Sequence, residues 1–329
     1  MNHLSAIPRC VRLPVLFAAA ALTLCAFTAC GNTTPDTGGG GGSGGGNGAA
    51  GGSGGGFAPG ADAGSVGLDG GAVDHLFFAV VGDSRPTDID VVSEYPTPVI
   101  TRIYQHIEAM SPRPQFVVGT GDYMYANTTT NTAQPQAALY MQARAAYTGS
   151  FFPSMGNHEC NGYTADNCVL GQTQNIDAFM NTILGPSGQA APWYSIPIHA
   201  NNGSWTAKLV VVACNAWDTT QQSWLMSTLA QHTTYTILVR HEPAEANTGP
   251  CVTAVENIMK GTSYDLSLVG HTHTFKGSAS SKEIVIGNGG APLSGGTFGY
   301  TTVERVPTGW LINNIDYSTA LPVQSYRIP

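Results

Sequence analysis

Five short apolar runs in this chain each lead into a small cluster of polar residues. The runs are rich in Val, Ile and Phe, and the clusters begin at positions 82, 121, 156, 240 and 270. Runs of this length, bounded by Gly or polar residues, are typical of buried strands. In open α/β sheets, ligands bind beyond the carboxyl ends of the strands. The five clusters are therefore expected to meet in one crevice.

Strand-like and helix-like segments alternate along the chain. Strands are predicted at residues 76–81, 116–118, 209–213, 236–239, 266–269 and 284–286. Apolar residues at positions 100, 103, 104, 107 and 110 follow the spacing of an amphipathic helix, and residues 137–146 and 224–229 are also predicted to be helical. This alternation indicates an α/β fold with largely parallel sheets. Near the end, residues 300–306, 310–317 and 323–328 are predicted to be antiparallel strands.

The polar clusters supply carboxylates, an amide, imidazoles and a phenol. The candidate ligands are Asp83, Asp122, Tyr125, Asn157, His241, His271 and His273. Hard and borderline cations prefer such a set, whereas a soft thiolate site needs cysteines. Two metal ions about 3.5–4 Å apart can clamp a phosphoryl group between them. A bound metal also lowers the pKa of its water, so a dinuclear hydrolytic site is the hypothesis that these residue types favour.

The order of the motifs resembles a known family. Gly-Asp, Gly-Asp-x-x-Tyr, Gly-Asn-His-Glu, a single His and Gly-His-x-His occur in the order of the calcineurin-like metallophosphoesterases, and within them the series is most similar to the purple acid phosphatases. The Gly-Asn-His-Glu and Gly-His-Thr-His pieces are the most specific. The resemblance spans Asp83 to His273. It implies an α/β fold in four layers, with two mixed β-sheets flanked by helices.

The resemblance also implies a role for each ligand. It assigns Asp83, Asp122, Tyr125 and His273 to the first metal. It assigns Asp122, Asn157, His241 and His271 to the second metal, so Asp122 bridges the two ions. His158 then binds the substrate and protonates or stabilises the leaving group, as the catalytic residue.

Arg85 departs from the common family pattern. Most calcineurin-like enzymes have a metal-ligating His at this position, but a guanidinium cannot lose a proton to bind a metal. Purple acid phosphatases also lack this His and use a Tyr three residues after the bridging Asp, the spacing of Tyr125. The resemblance thus implies Fe(III) at the Tyr125 site, with Fe(II), Zn(II) or Mn(II) at the second. The alternative is that Tyr125 only packs. Arg85 is a candidate for binding phosphate, because its shape matches phosphate oxygens, or for pairing with a carboxylate.

These residues predict hydrolysis of a small phosphate monoester by metal-bound hydroxide. A phosphodiesterase or a nucleotide pyrophosphatase of the same fold uses the same metals, and the sequence does not separate these activities. A surface binding protein that keeps the fold without catalysis is a third hypothesis. Nucleic acid is not expected as a partner, because the net charge is −8 and there are only 13 Lys and Arg residues.

The N-terminal region predicts export. Residues 1–30 contain Arg9 and Arg12, then an apolar stretch shorter than a membrane span, then Phe-Thr-Ala-Cys, which resembles a lipobox with Cys30 as the lipidation site. Residues 31–72 are rich in Gly and are predicted to be a flexible linker, and residues 73–329 the catalytic domain. We expect a protein anchored by lipid at the bacterial cell envelope, on the outer membrane or cell surface, or otherwise periplasmic or secreted.

Several other residues have two interpretations. Cys160 and Cys168 flank a short polar loop and are expected to form a disulfide, whereas the pairing of Cys214 and Cys251 stays open. Glu159 and Glu242 adjoin ligands and either orient them or are solvated or salt-bridged. Asn215 and Trp217 either line the crevice or pack. The remaining candidates are expected to be surface or cap residues; they are His75, His106, His199 and His232.

Overall fold

The computed structural model describes residues 64–161, 167–168, 173–246 and 249–329. The strands are β1 (Gly64–Gly67), β2 (Gly70–Val73), β3 (Phe77–Val81), β4 (Phe116–Gly119), β5 (Ser150–Pro153), β6 (Tyr194–Ala200), β7 (Thr206–Val211), β8 (Tyr235–Val239), β9 (Leu266–Val269), β10 (Phe275–Lys276), β11 (Glu283–Ile286), β12 (Gly299–Val306), β13 (Gly309–Asp316) and β14 (Pro322–Ile328). The helices are α1 (Thr97–Ala109), α2 (Ala133–Arg144), α3 (His158–Asn161), α4 (Gln174–Ala178), α5 (Thr219–Ala230) and α6 (Val252–Lys260). A π-helical turn extends α4, and 3-10 turns occur at Gly185–Ser187 and Cys214–Ala216.

The strands form two mixed sheets. The first sheet has the order β1-β2-β6-β7-β8-β9-β11-β10, and the second has the order β14-β13-β12-β3-β4-β5. In the first sheet β7, β8, β9 and β11 run parallel, and in the second β3, β4 and β5 do so. The antiparallel additions predicted near the end of the chain are confirmed as β12, β13 and β14.

Alternation along the strands explains the four layers. Leu209 and Val211 of β7 belong to the core between the sheets, whereas Val210 faces a second apolar cluster that contains Leu225 of α5 and Val255 of α6. This outer cluster shows that α5 and α6 cover the far face of the first sheet. The predicted four-layer α/β architecture is confirmed.

The second sheet is covered in the same way. On β5, Phe152 packs against Phe116 with ring centroids 5.6 Å apart, and its neighbour Phe151 packs against Tyr140 of α2 at 5.9 Å. Adjacent residues of a strand point to opposite faces, so α2 lies on the outer face of this sheet. Helix α1 joins it with its predicted apolar stripe: Ile100, Ile103, Tyr104 and Ile107 are fully buried. Each buried side chain of this size stabilises the fold by about 1.5–3 kcal/mol.

The predicted start of the domain at residue 73 was wrong. Strand β1 and most of β2 fall within residues 31–72, so the folded domain begins no later than Gly64. The glycines there indicated flexibility, but β2 pairs with β6 through its backbone, and a side chain at Gly70 would clash with Pro197. Val66 and Val73 are buried and anchor the hairpin. The predicted signal segment, Cys30 and the rest of the linker lie outside the described residues.

Among the described residues, no helix combines the length and apolar character needed to cross a membrane.

Candidate active site

Strands β3, β4 and β5 end at the same level. Val81 pairs with Gly119, and Gly119 pairs with Pro153, so the three chains leave the second sheet side by side. Asp83, Asp122 and Asn157 follow within a few residues of these ends. Strands β8 and β9 deliver His241 and His271 from the first sheet in the same way, since Val239 pairs with Leu268. The predicted convergence of the five clusters at one crevice is therefore found.

Four of the candidate ligands have left-handed backbones. The φ angles are 56° at Asp83, 58° at Asp122, 72° at His271 and 48° at His273. Non-glycine residues seldom adopt such angles, and where they do the strain is commonly found at functional sites. Gly121 precedes Asp122 with φ of 100°, and a β-carbon there would lie 2.7 Å from His241 Nδ1. The loop after β4 can approach His241 only because Gly121 lacks a side chain.

Three ligand atoms converge in what we call the amide half, made of Asn157, His241 and His271. The Oδ1 atom of Asn157 lies 3.1 Å from His241 Nε2 and 3.1 Å from His271 Nδ1. The two ring nitrogens are 3.2 Å apart. One cation can be reached by all three atoms, as the predicted second metal requires.

The carboxylate half consists of Asp83, Asp122 and His273. Their ligand atoms all lie within 4.8 Å of one another, and both carboxylates are almost fully buried. His273 Nε2 lies 3.5 Å from Asp83 Oδ1. Asp122 also reaches the amide half, because its Oδ1 atom is 3.3 Å from His241 Nε2. Asp122 therefore belongs to both groups of ligands, which is the position of a bridging carboxylate.

Backbone carbonyls orient two of the imidazoles. His241 Nδ1 lies 2.7 Å from the carbonyl of Thr120, and His273 Nδ1 lies 2.8 Å from the carbonyl of Pro292. A carbonyl only accepts, so each Nδ1 carries a proton and each Nε2 is the ring nitrogen that faces the centre. Neither Thr120 nor Pro292 was singled out from the sequence, because a carbonyl occurs at every residue and has no motif.

Glu159 ties two of the ligand loops together. Its buried carboxylate accepts the backbone N–H groups of Asp122 at 2.8 Å, Tyr123 at 2.7 Å and Gly156 at 2.8 Å. Its predicted role in orienting ligands is thus supported, through the backbone rather than through the ligand side chains. Glu242 is also fully buried, which excludes a solvated role, and its carboxylate has no hydrogen-bond partner among the described residues.

His158, Tyr125 and Arg85 lie in contact beside the ligands. His158 Nε2 is 3.6 Å from Asp122 Oδ2, and its ring meets the Tyr125 ring edge-on at 4.7 Å. The Arg85 guanidinium lies 4.4 Å from the centre of the Tyr125 ring. Within the described part of the chain, no carboxylate is close enough to form an ion pair with Arg85, whose Nη1 donates to the Pro86 carbonyl at 3.0 Å. The Arg85 guanidinium therefore has N–H donors that are not engaged by any described carboxylate.

Burial and neighbouring charges shift the pKa values of the ligands strongly. Burial raises the pKa of Asp83 to about 8, against the opposing charge of His241. Burial alone would raise the pKa of Asp122, but the positive charges of His158 and His241 hold it well below its usual range. Burial lowers the pKa of His271 to about 4, and burial with the charge of Arg85 lowers that of His273. His271 and His273 are thus held in the neutral form that binds metals.

The donor set fits a metal centre. Two buried carboxylates, three imidazoles and an amide oxygen meet at one place, and the two halves share Asp122. Oxygen and imidazole ligands of this kind select hard or borderline cations. Buried carboxylates also need a positive partner to offset their desolvation.

The family of this chain is shown by a sequence match that runs from β3 to β10. Residues 78–275 match the model of calcineurin-like phosphoesterases, which is well over half of the 329-residue chain. The chain belongs to the calcineurin-like phosphoesterase family. All seven candidate ligands, Arg85 and His158 lie inside the matched segment. The metal-binding, hydrolase-type character of the site is therefore a family property.

Two solved structures share the fold. A purple acid phosphatase, PPD1 from yellow lupin (Lupinus luteus) seeds, superimposes with a TM-score of 0.55 and is 14% identical over 77% of this chain. GAP50 of Plasmodium, described as the anchor in the inner membrane complex, has a TM-score of 0.54 and is 13% identical over 77% of this chain and 88% of its own. This chain covers 53% of the lupin protein, about half of its length. At these identities both show the fold alone. Comparison with curated proteins finds no match.

The remaining sequence predictions have mixed outcomes. The Cys160–Cys168 disulfide is confirmed, and Cys214–Cys251, which the sequence left open, forms as well. Asn215 is buried, and its carbonyl accepts the N–H of Cys168 at 2.7 Å, so it supports the disulfide loop. His199 and His232 are exposed as expected. The bond between Tyr125 and a metal stays a prediction.

Proposed function

We propose that this phosphoesterase hydrolyses small phosphate monoesters at two metal ions, in the manner of purple acid phosphatases. The observation that carries the proposal is the shared position of Asp122, which lies 3.3 Å from His241 Nε2 and also groups with Asp83 and His273. When bound, the two ions supply a water-derived nucleophile at neutral pH and positive charge for the phosphoryl oxygens. Asp83, Asp122, Tyr125 and His273 would hold the first ion, and Asp122, Asn157, His241 and His271 the second.

Residues beside the ligands handle the substrate. His158 is nearly buried next to Asp122, and it donates a proton to the leaving oxygen as general acid. Arg85 binds the phosphate oxygens through donors that no described carboxylate occupies. A terminal monoester phosphate carries more negative charge than a diester phosphate, so a site with an added guanidinium favours the monoester.

The test of this proposal is turnover by the full-length protein loaded with iron, zinc or manganese. We expect kcat/KM to be at least about tenfold higher for p-nitrophenyl phosphate than for bis(p-nitrophenyl) phosphate, a difference of about 1.4 kcal/mol in transition-state binding. The reverse preference would indicate the phosphodiesterase or pyrophosphatase alternative. No turnover of any ester by the metal-loaded protein would support the non-catalytic alternative.

His158→Ala tests the assignment of the general acid. We expect kcat to fall by about 10²–10⁴-fold, because a positioned acid contributes that much, while the metal content stays at two ions per chain. His232→Ala is the matched control, since His232 is exposed and lies outside the clusters. Equal loss of metal and turnover in His158→Ala would show a structural role instead.

For the first ion we propose Fe(III), bound by Tyr125, with Fe(II), Zn(II) or Mn(II) as the second ion. The support is the pairing of two changes: Arg85 stands where the family commonly has a His ligand, and Tyr125 stands three residues after Asp122. A phenolate bound to ferric iron absorbs visible light. The iron-loaded protein should be coloured, and Tyr125→Phe should be colourless. A colourless wild-type protein with full iron content would exclude Tyr125 as a ligand.

We also propose that the protein is exported and anchored by a lipid on Cys30 at the cell envelope. The support is the order of charged, apolar and small residues in positions 1–30, followed by the Gly-rich segment. Cys30→Ser should move the protein from the membrane fraction to the soluble fraction. Unchanged membrane association of that variant would contradict the lipid anchor.

A further inference from the structure

Gln136 holds the backbone of Tyr125 from the neighbouring helix α2. Its side chain is fully buried. The Oε1 atom accepts the N–H of Tyr125 at 2.6 Å, and Nε2 donates to the carbonyl of Tyr125 at 3.1 Å and to that of Val91 at 3.3 Å. One amide side chain thus satisfies both backbone groups of Tyr125, as a neighbouring strand would.

A second contact fixes Tyr125 from the other side. The N–H of Asp90 donates to the Tyr125 carbonyl at 2.8 Å. The carboxylate of Asp90 accepts the N–H of Asn127 at 2.9 Å and the hydroxyls of Thr130 and Thr132 at 2.5 Å each. The loop that follows Tyr125 is therefore tied back to Asp90, and the Tyr125 backbone has little freedom to shift.

The position of the Tyr125 ring follows from this backbone. The Arg85 guanidinium lies over the ring, 4.4 Å from its centre, and the His158 ring meets it edge-on at 4.7 Å. A shift of Tyr125 moves the partner against which both side chains pack. Misplacement of reacting groups by about 1 Å can cost about 10²-fold in rate.

We propose that Gln136 is a positioning residue, which acts on the reaction through the Tyr125 ring and so through Arg85 and His158. The proposal rests on the proposed function, because it assigns those two residues to the phosphate and the leaving group. It does not require Tyr125 to bind a metal. It adds a residue that contacts Tyr125 only through the backbone and that no motif marks.

A double-mutant cycle separates this role from general support of the fold. Gln136→Leu should lower kcat by about 10–100-fold, with a smaller change in KM. In the background of Tyr125→Ala, where the ring is absent, Gln136→Leu should cause no further loss beyond about twofold. The same loss in both backgrounds would overturn the proposal, as would full activity of a folded Gln136→Leu protein. Gln142→Leu is the control, since Gln142 is exposed on the same helix.

A second variant at Gln136 and a binding measurement complete the test. If Gln136→Leu fails to fold, Gln136→Glu keeps the acceptor for the Tyr125 N–H but places a carboxylate oxygen against its carbonyl, and the same cycle applies. Binding of inorganic phosphate to the metal-loaded protein, measured by calorimetry, should show the same coupling without turnover. A protein that turns over no monoester but shows coupled phosphate binding would refute the proposed activity and support this role; uncoupled binding would refute the role.

Discussion

The amide half and the carboxylate half of the site are held in different ways. In the amide half, Asn157, His241 and His271 bring an amide oxygen and two imidazole nitrogens within 3.1–3.2 Å of one another. In the carboxylate half the ligand atoms lie within 4.8 Å of one another, and the contacting side chains Arg85, Tyr125 and His158 lie beside Asp122. The amide half is therefore made of ligands alone, whereas the carboxylate half also has Arg85, Tyr125 and His158 beside its ligands.

The two halves also differ in the pKa values of their ligands. Burial lowers the pKa of His271 to about 4, and burial would lower that of His241 as well, but the charge of Asp122 raises it well above its usual range, so only His271 is held neutral in the amide half. Burial raises the pKa of Asp83 to about 8, which reflects the cost of an isolated buried carboxylate. Cation binding offsets that cost, so the carboxylate half depends more strongly on its ion.

The largest effect is expected where the halves meet, at Asp122. Asp122→Asn removes the shared charge, and we expect kcat/KM to fall by 10²–10³-fold or more, on the order of one lost transition-state contact. Metal content should fall below one ion per chain, because both halves lose a ligand. Asp177→Asn, an exposed carboxylate on α4, is the control. Loss of metal from one half alone, measured by elemental analysis, would show that Asp122 does not bridge.

Glu159→Gln tests the link between the loops of both halves. The amide side chain keeps one acceptor but presents its NH₂ group to backbone N–H groups now bound at 2.7–2.8 Å. We expect a loss of about 10–100-fold in kcat/KM or in metal affinity, the usual effect of changing a group behind a ligand. Glu108→Gln at the surface should leave both values unchanged. If Glu159→Gln is equally silent, the two halves do not need this connection.

Arg85→Lys examines the feature that most distinguishes the carboxylate half. Lysine keeps the charge but loses the planar pair of donors and the stacking on Tyr125, so KM for a monoester should rise about tenfold while metal content stays constant. Arg113→Lys is a close control, because Arg113 stacks on Tyr147 at 5.5 Å at an exposed site. A change in kcat alone would show that Arg85 acts after substrate binding.

Local signals explain why the ligands were predicted from the sequence. Asp83, Asp122, Asn157, His241 and His271 each stand a few residues beyond an apolar run, so strand position and residue type point to the same place. The register of the parallel strands then makes convergence unavoidable. The apolar stripe of α1 was predicted for a similar reason, because the helical spacing of its apolar residues determines which face is buried.

Contacts that depend on distant backbone could not be predicted. Thr120 and Pro292 act through carbonyls, and Gln136 acts through an amide on a helix eleven positions from Tyr125. Nothing in their residue types marks these roles. The β1–β2 hairpin was missed because its glycines have a flexible composition, although Val66 and Val73 are buried. The composition of a segment indicates how much apolar surface it can bury by itself. It does not indicate which strand the segment pairs with, as β2 pairs with β6.

The smallest effect concerns the support of Tyr125 and appears as a pH dependence. Burial would raise the pKa of Asp90, but hydrogen bonds from Thr130, Thr132 and Asn127 lower it to about 2, and similar bonds lower that of Asp316 to about 2. A depressed folded-state pKa stabilises the protein above the ordinary value near 4, and this stability is lost as the pH falls towards 2.

Asp90→Asn and Asp316→Asn should therefore each lower Tm by about 2–4 °C at neutral pH, and the difference from wild type should vanish near pH 2 in metal-free protein. Only Asp90→Asn should also lower kcat, by about two- to fivefold, because Asp90 contacts Tyr125 and Asp316 does not. Equal kcat values for the two variants would mean that the carboxylate half tolerates movement of Tyr125, and its contrast with the amide half would then rest on charge alone.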